Sequence, residues 1–323
     1  LSLILFACGN GNGKKTESEA SQPPISVNVP AFSADSAYTY IEKQLSFGPR
    51  VPGSEAHSRC AAWLADNMRR FADTVIVQSF KARAYNKKIL RGKNIIAIFN
   101  PEQKKRVLLG AHWDSRPYAD HDPDESKHNT PIDGANDGAS GVGVLMEIAR
   151  QISLEQPAIG VDVIFFDLED YGPPQGSQNY AGEDFWGLGS QHWATNPHKM
   201  NYRARYGILL DMVGVKDATF LQEGFSMHFA PSRVKKVWDL ADQLGYGDYF
   251  PYEKGGFITD DHYYVNSILN IPMINIIHLD PNSANGSFFD HWHTLSDNLE
   301  NIDKYTLNVV GIVVMNVIYR EKV

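Results

Sequence analysis

Five nearly unbroken apolar runs, at residues 94–99, 107–111, 161–166, 206–211 and 273–279, constrain this chain more than any other feature. A strand with one wet face alternates apolar and polar residues, whereas a run apolar at almost every position belongs to a strand covered on both faces. Helix-period stretches separate the runs, at 35–47, 55–71, 139–151, 233–244 and 304–319. That alternation predicts an α/β domain: a three-layer αβα sandwich around a mixed, mostly parallel central sheet. Residues 75–80 are expected as an antiparallel edge strand. The last helical stretch is strongly apolar, but Asn308 and Asn316 interrupt it and it is too short to span a bilayer, so it is expected to face the core.

The first eight residues, Leu1-Ser2-Leu3-Ile4-Leu5-Phe6-Ala7-Cys8, look like the end of a bacterial signal peptide. Ala7 before Cys8 and Gly9 after it resemble a lipobox, whose cysteine is lipidated and becomes the mature N-terminus. Residues 9–30 are polar, Gly-rich and without periodicity, as a flexible tether would be. The expected organisation is therefore a signal remnant over 1–8, a linker over 9–30 and one catalytic domain over 31–323. The expected location is the cell envelope of a Gram-negative bacterium, as a periplasm-facing lipoprotein held to the membrane only through Cys8. Cys60 is then the one remaining cysteine, so no internal disulfide can form. The formal net charge is −8, and no Lys or Arg run reads as a nucleic-acid footprint, so no nucleic-acid partner is expected.

The polar residues inside this apolar framework fall at strand ends. His112 and Asp114 follow one run, Glu169 and Asp170 another, Asp211 ends a third and His278 lies in a fourth. Ligands of open α/β sheets bind beyond the carboxyl ends of the strands, so these side chains point to one site. Five segments carry the chemistry: Gly110-Ala111-His112-Trp113-Asp114-Ser115, Asn136-Asp137-Gly138-Ala139-Ser140-Gly141 before a helix, Phe165-Phe166-Asp167-Leu168-Glu169-Asp170, Leu209-Leu210-Asp211, and Trp292-His293-Thr294. Each alone is weak. A His-x-Asp at a strand end is common, Asp137 could merely cap the following helix, and adjacent acids usually form a solvated turn.

Their order resembles that of the aminopeptidase-like zinc hydrolases, from about Asp35 to the C-terminus. The resemblance implies that family's metallohydrolase fold and a zinc held by Asp137, Asp170 and His293, with Glu169 as general base. Zinc accepts carboxylate oxygen and imidazole nitrogen, and a catalytic site keeps one position open. In the peptidases of the superfamily a second zinc uses the equivalents of His112 and Asp211 with Asp137 bridging. All of these side chains are present, so the ligand list leaves peptidase and cyclase both open.

Other positions resemble the zinc-dependent, animal-type glutaminyl cyclases, and particularly their bacterial relatives. These are Asp260-Asp261-His262 where peptidases often carry Ser-Asp-His, Trp292 immediately before His293, Gly189-Ser190-Gln191-His192-Trp193, and the stretch from Trp113 to Pro123. Asn136 to Gly141 is closer to the peptidase form. The resemblance implies one zinc per chain and conversion of N-terminal glutamine, more slowly glutamate, to pyroglutamate with release of ammonia. Peptides and exported proteins with N-terminal Gln are the implied substrates, and a monomer is expected; the alternative is a two-metal aminopeptidase. Glu169, Asp211 and Asp260 would be the catalytic acids, with Asp211 hydrogen-bonded to Asp260. Trp193, Trp292 and His278 would line the substrate pocket, with Trp186 competing for the place of Trp193. His112 and Asp114 would stand behind the ligands or hold a second metal. His278 is about equally well read as a core histidine, and His291 competes with His293 as ligand. Residues 118–132, 171–189 and 249–257 are expected as loops around the pocket rim.

Overall fold

The computed structural model describes residues 27–177 and 183–322. The expected signal remnant, Cys8 and most of the linker lie outside the described residues. Among these residues six strands form one sheet: β1 (Thr74–Arg83), β2 (Ile89–Phe99), β3 (Arg106–His112), β4 (Gly160–Phe166), β5 (Tyr206–Asp211) and β6 (Met273–Ile277), in the order β1-β2-β4-β3-β5-β6. β4, β3, β5 and β6 run parallel, and β2 is antiparallel to both β1 and β4. β1 is the expected edge strand. β3, β4, β5 and β6 are buried at every position, which is why their sequences do not alternate.

Among the described residues, eight α-helices accompany the sheet: α1 (Ala34–Leu45), α2 (Glu55–Phe71), α3 (Ala139–Leu154), α4 (Leu188–Thr195), α5 (Gly224–Phe229), α6 (Pro231–Gln243), α7 (Asp261–Leu269) and α8 (Lys304–Tyr319). The two sheet faces bury different residues, as a period of two requires. Val107, Leu109, Val161, Val163, Ile208 and Leu210 pack with α1, α2, α3, α6 and α8 in the larger core. Leu108, Ile164, Phe166 and Leu209 pack with Trp193 of α4 and Val265 of α7 in a smaller one. The result is the expected three-layer mixed α/β architecture. No described helix is long and apolar enough to cross a membrane.

The sequence sets the main helix ends locally. Ser54 accepts a hydrogen bond from the His57 N–H at the start of α2, and Asp303 accepts from the Thr306 N–H at the start of α8. Gly141 lets α3 approach the sheet, since a Cβ there would lie 2.2 Å from the Leu210 carbonyl oxygen.

Candidate metal centre and its cavity

Four parallel strands share one carboxyl edge, and the site is built there. His112 ends β3, Asp211 ends β5, and the turn after β4 carries Glu169 and Asp170. Asp137 precedes Gly138, the N-cap of α3, and Asp260 is the N-cap of α7, where its side chain accepts the Asp261 N–H at 2.5 Å. Three non-glycine residues here adopt left-handed backbone: Leu168 (φ 59°), Met212 (φ 49°) and His293 (φ 55°). Such conformations cost about 1–3 kcal/mol each and persist only where the surroundings over-determine them.

Donor atoms of Asp137, Asp170 and His293 lie within 4.8 Å of one another, all three residues buried. His293 Nε2 is 3.5 Å from Asp137 Oδ2 and 3.4 Å from Asp170 Oδ1. Donors around a tetrahedral zinc stand about 3.3–3.5 Å apart, given Zn–N and Zn–O bonds of about 2.0–2.2 Å. Asp170 Oδ2 is buried with no hydrogen-bond partner, a costly state that a cation relieves. The donor set, its spacing and this unpartnered oxygen fit a zinc ion.

A second group, His112, Asp137 and Asp211, meets the same 4.8 Å limit. Here the distances are shorter: His112 Nε2 stands 3.1 Å from Asp137 Oδ1 and 3.2 Å from Asp211 Oδ1. Burial alone would lower the His112 imidazole, but Asp114, Asp137 and Asp211 outweigh it and hold it well above its usual range. Asp137 thus turns one oxygen to each group.

The residues around the ligands organise them. Asp114 Oδ1 accepts the Glu169 N–H at 3.1 Å and Oδ2 the Asp170 N–H at 3.3 Å, and Oδ1 lies 3.6 Å from His112 Nδ1. Asp297 accepts the N–H groups of Asn136 and Asp137 at 2.7 and 3.1 Å. Burial first, then the charge of Asp137, pushes its carboxyl up to about 7. Arg116 grips Asp120 with two bonds of 2.8 and 2.6 Å and reaches Asp170 Oδ1 at 3.1 Å. Fully buried Arg50 donates to the carbonyls of Trp113, Asp133 and Gly134, tying the His112 and Asp137 loops together. Sequence reasoning missed Arg116, Asp120 and Asp297. Arg116 and Asp120 stand four apart, Arg116 just before and Asp120 within the Pro- and Asp-rich stretch 118–132 that reads as a rim loop.

Above the ligands opens a cavity of about 280 Å³, lined among others by Glu169, Asp211, Asp260, Trp186, Trp292, Phe257 and Phe288. Glu169 is 8% exposed; burial, then Asp260, Asp170 and Asp261 against the opposing His112, pushes its carboxyl well above the ordinary range. Burial also raises Asp211 and Asp260.

Three expectations are corrected. Trp193 is wholly buried in the smaller core, its indole N–H donating to His198 Nδ1 at 3.2 Å, because α4 turns it toward the sheet; the cavity-lining tryptophan from that region is Trp186. His278 accepts the Thr219 N–H at its Nδ1 (2.9 Å) and does not line the cavity, so it is a core histidine. Asp260 is held by Asn275 Nδ2 at 2.6 Å, whereas Asp211 faces His112; the two acids interact through charge. The group of three takes His293 and not His291. Of the expected rim loops, 171–189 includes residues 178–182, which lie outside the described residues.

Comparisons with known proteins agree with this geometry. A glutaminyl-peptide cyclotransferase from Drosophila melanogaster is 25% identical over 82% of this chain and 75% of its own length. A crystal structure of a Tannerella forsythia glutaminyl cyclase is 55% identical, with TM-score 0.88, covering 91% of this chain and all of that one. A structure described as a zinc-dependent exopeptidase from Parabacteroides distasonis is also 55% identical, with TM-score 0.89 and the same coverage. The sequence profile of Peptidase family M28 matches residues 94–318, which take in every strand from β3 on and each candidate ligand; the chain belongs to that family.

Proposed function

We propose that this chain is a glutaminyl-peptide cyclotransferase, converting N-terminal glutamine of peptides to pyroglutamate with release of ammonia. The observation that carries it is one acid-floored, tryptophan-walled cavity in which Asp137, Asp170 and His293 meet at zinc-donor spacing beside Glu169 and Asp260. Cyclase relatives and cyclase structures support the same activity.

In this account Asp137, Asp170 and His293 would hold one zinc ion, which would supply a Lewis acid toward the γ-carbonyl of the substrate. The α-amine nitrogen attacks the γ-carbonyl carbon, the bond from that carbon to the amide nitrogen breaks, and ammonia leaves. No water is consumed. Glu169 takes a proton from the attacking amine and returns one to the departing nitrogen. Burial raises its carboxyl above the ordinary range, which suits a group that must give a proton back as well as take one. Asp260, fixed by Asn275 and by its own helix, accepts a hydrogen bond from the γ-amide nitrogen. Trp186 and Trp292 wall the cavity and hold the side chain folded for ring closure, the entropic part of an intramolecular reaction.

A two-metal aminopeptidase is the second reading. The His112, Asp137 and Asp211 group and the exopeptidase-described structure favour it. Against it, His112 Nε2 stands 3.1 and 3.2 Å from the two carboxylates, closer than the about 3.3–3.5 Å that separates donors around one zinc. The rest of the proposal follows the sequence: a monomeric envelope lipoprotein anchored through Cys8, with no nucleic-acid partner. Incubation with a Gln-initiated and a Leu-initiated peptide tests the activity. Ammonia and a pyroglutamyl product from the first alone support cyclisation, and free leucine from the second supports the peptidase.

A further inference from the structure

We infer that Phe257 is a specificity-determining residue that packs against the side chain of the substrate's second residue and favours large apolar or aromatic ones there. This rests on the cyclotransferase reading. Phe257 is 68% exposed yet lines the same cavity as Glu169 and Asp260. It shares that cavity with Phe288, Trp186 and Trp292, and such an aromatic lining with a few convergent polar groups is what marks a ligand site.

Its exposure is not that of a loose loop. The ring lies on the backbone of Gly224, where a Cβ would stand 2.7 Å from it, and it makes an edge-to-face contact with Phe225 at 5.0 Å between centroids and 74°. The backbone on either side is pinned. Gly224 N–H donates to the Gly256 carbonyl at 2.7 Å, and Ile258 N–H donates to Glu223 Oε1 at 3.0 Å. Glu223 is itself buried, and its other oxygen takes the Ser226 N–H at 2.6 Å and contacts His262 Nε2 at 2.9 Å, two residues after Asp260. One buried carboxylate therefore fixes Phe257 relative to Asp260. The ring is preorganised, so little side-chain freedom is lost when a ligand covers it.

The cavity's size decides what reaches the ring. About 280 Å³ accepts the first residue over the acids but not an extended peptide. The peptide must leave through the mouth, where the second side chain meets the bare face of Phe257. Apolar and aromatic side chains gain from that contact, and aromatic pairs gain beyond their buried area.

The test compares kcat/KM for Gln-Phe-amide and Gln-Gly-amide in the zinc-loaded enzyme. The wild type is expected to prefer Gln-Phe-amide, and Phe257→Ala to reduce the ratio about fivefold or more, chiefly through KM. Tyr252→Ala is the control: this exposed tyrosine of the same loop lines a different groove, and both constants should match the wild type. A ratio unchanged in Phe257→Ala, or lost equally in Tyr252→Ala, overturns the inference. If the wild type makes no pyroglutamate from either peptide, the activity reading fails instead. The inference is then read from the affinities of both peptides for zinc-loaded Glu169→Gln, with and without Phe257→Ala. Loss of the same preference on adding Phe257→Ala supports it, and equal preference without the phenylalanine ends it.

Discussion

Asp120 Oδ1 lies 3.4 Å from His293 Nδ1, on the ring edge opposite the nitrogen that faces Asp137 and Asp170. Arg116 fixes that carboxylate with two bonds and also touches Asp170. Burial alone would raise the Asp120 carboxyl, but Arg116 and His293 hold it well below the ordinary range. A carboxylate behind a ligating histidine sets its ring orientation and tautomer. Asp120→Asn should therefore weaken zinc binding about 10- to 100-fold while the fold survives. Competition against a fluorescent chelator measures this, and wild-type affinity in the variant would rule the role out.

Glu169→Gln keeps the shape of the buried side chain and removes its capacity to shuttle a proton. Zinc content and thermal midpoint should stay near wild type, because Glu169 is outside the ligand group. Turnover should fall by about 10²–10⁴, the usual worth of a positioned general base. Ammonia release within tenfold of wild type would remove Glu169 from the chemistry.

Trp186 and Trp193 should separate function from stability. Trp186→Phe should lower kcat/KM and leave the thermal midpoint unchanged, since Trp186 lines the cavity. Trp193→Ala should cost about 3–5 kcal/mol of stability, the range for emptying a fully buried aromatic site. Equilibrium unfolding in urea checks the second, and a loss below 1 kcal/mol would contradict the packing described.

The Glu223–His262 pair should make stability acid-sensitive in a defined window. Burial alone would raise the Glu223 carboxyl, but His262, Ser226 and Ile258 pull it down to about 2. The unfolded chain then binds that proton more readily than the folded one. The contribution is complete above the ordinary Glu value of about 4.3 and drains away as pH falls from there to about 2. Glu223→Gln should be less stable at neutral pH, with a shallower loss of stability across that window. Parallel urea midpoints for the two proteins would show that the pair carries no such linkage.

Close packing of α3 against β5 depends on Gly141. Gly141→Ala puts a methyl group 2.2 Å from the Leu210 carbonyl, backbone that cannot swing aside. A loss of at least about 1–3 kcal/mol is expected, visible in the urea midpoint.

The residues show why some of this was legible in sequence and some was not. α2 and α8 begin and end where their periodicity and their Ser54 and Asp303 caps say, because capping is local chemistry. β5 is likewise found at 206–211. The direction of β2 is hidden, since a strand buried on both faces reads the same whichever way it runs. α4 follows a left-handed Gly187 with no side-chain cap, inside a Gly-rich stretch, so neither its start nor its inward face is signalled. That is why Trp193 resembles a pocket wall in sequence and proves to be core. Asp137, Asp170 and His293 stand far apart in sequence, yet their donor atoms lie within 4.8 Å of one another. Asp120, Asp297 and Arg50 act through loops whose approach only the tertiary fold decides.

Stoichiometric reloading of the metal-free chain tests the account most directly. Zinc is stripped by chelation, added back in fractions of an equivalent, and ammonia release from a Gln-initiated peptide is followed. Activity should rise linearly and level off at one zinc per chain, with no free amino acid formed at any point. Full activity in the stripped protein, or a plateau only at two equivalents with release of the N-terminal residue, would contradict it.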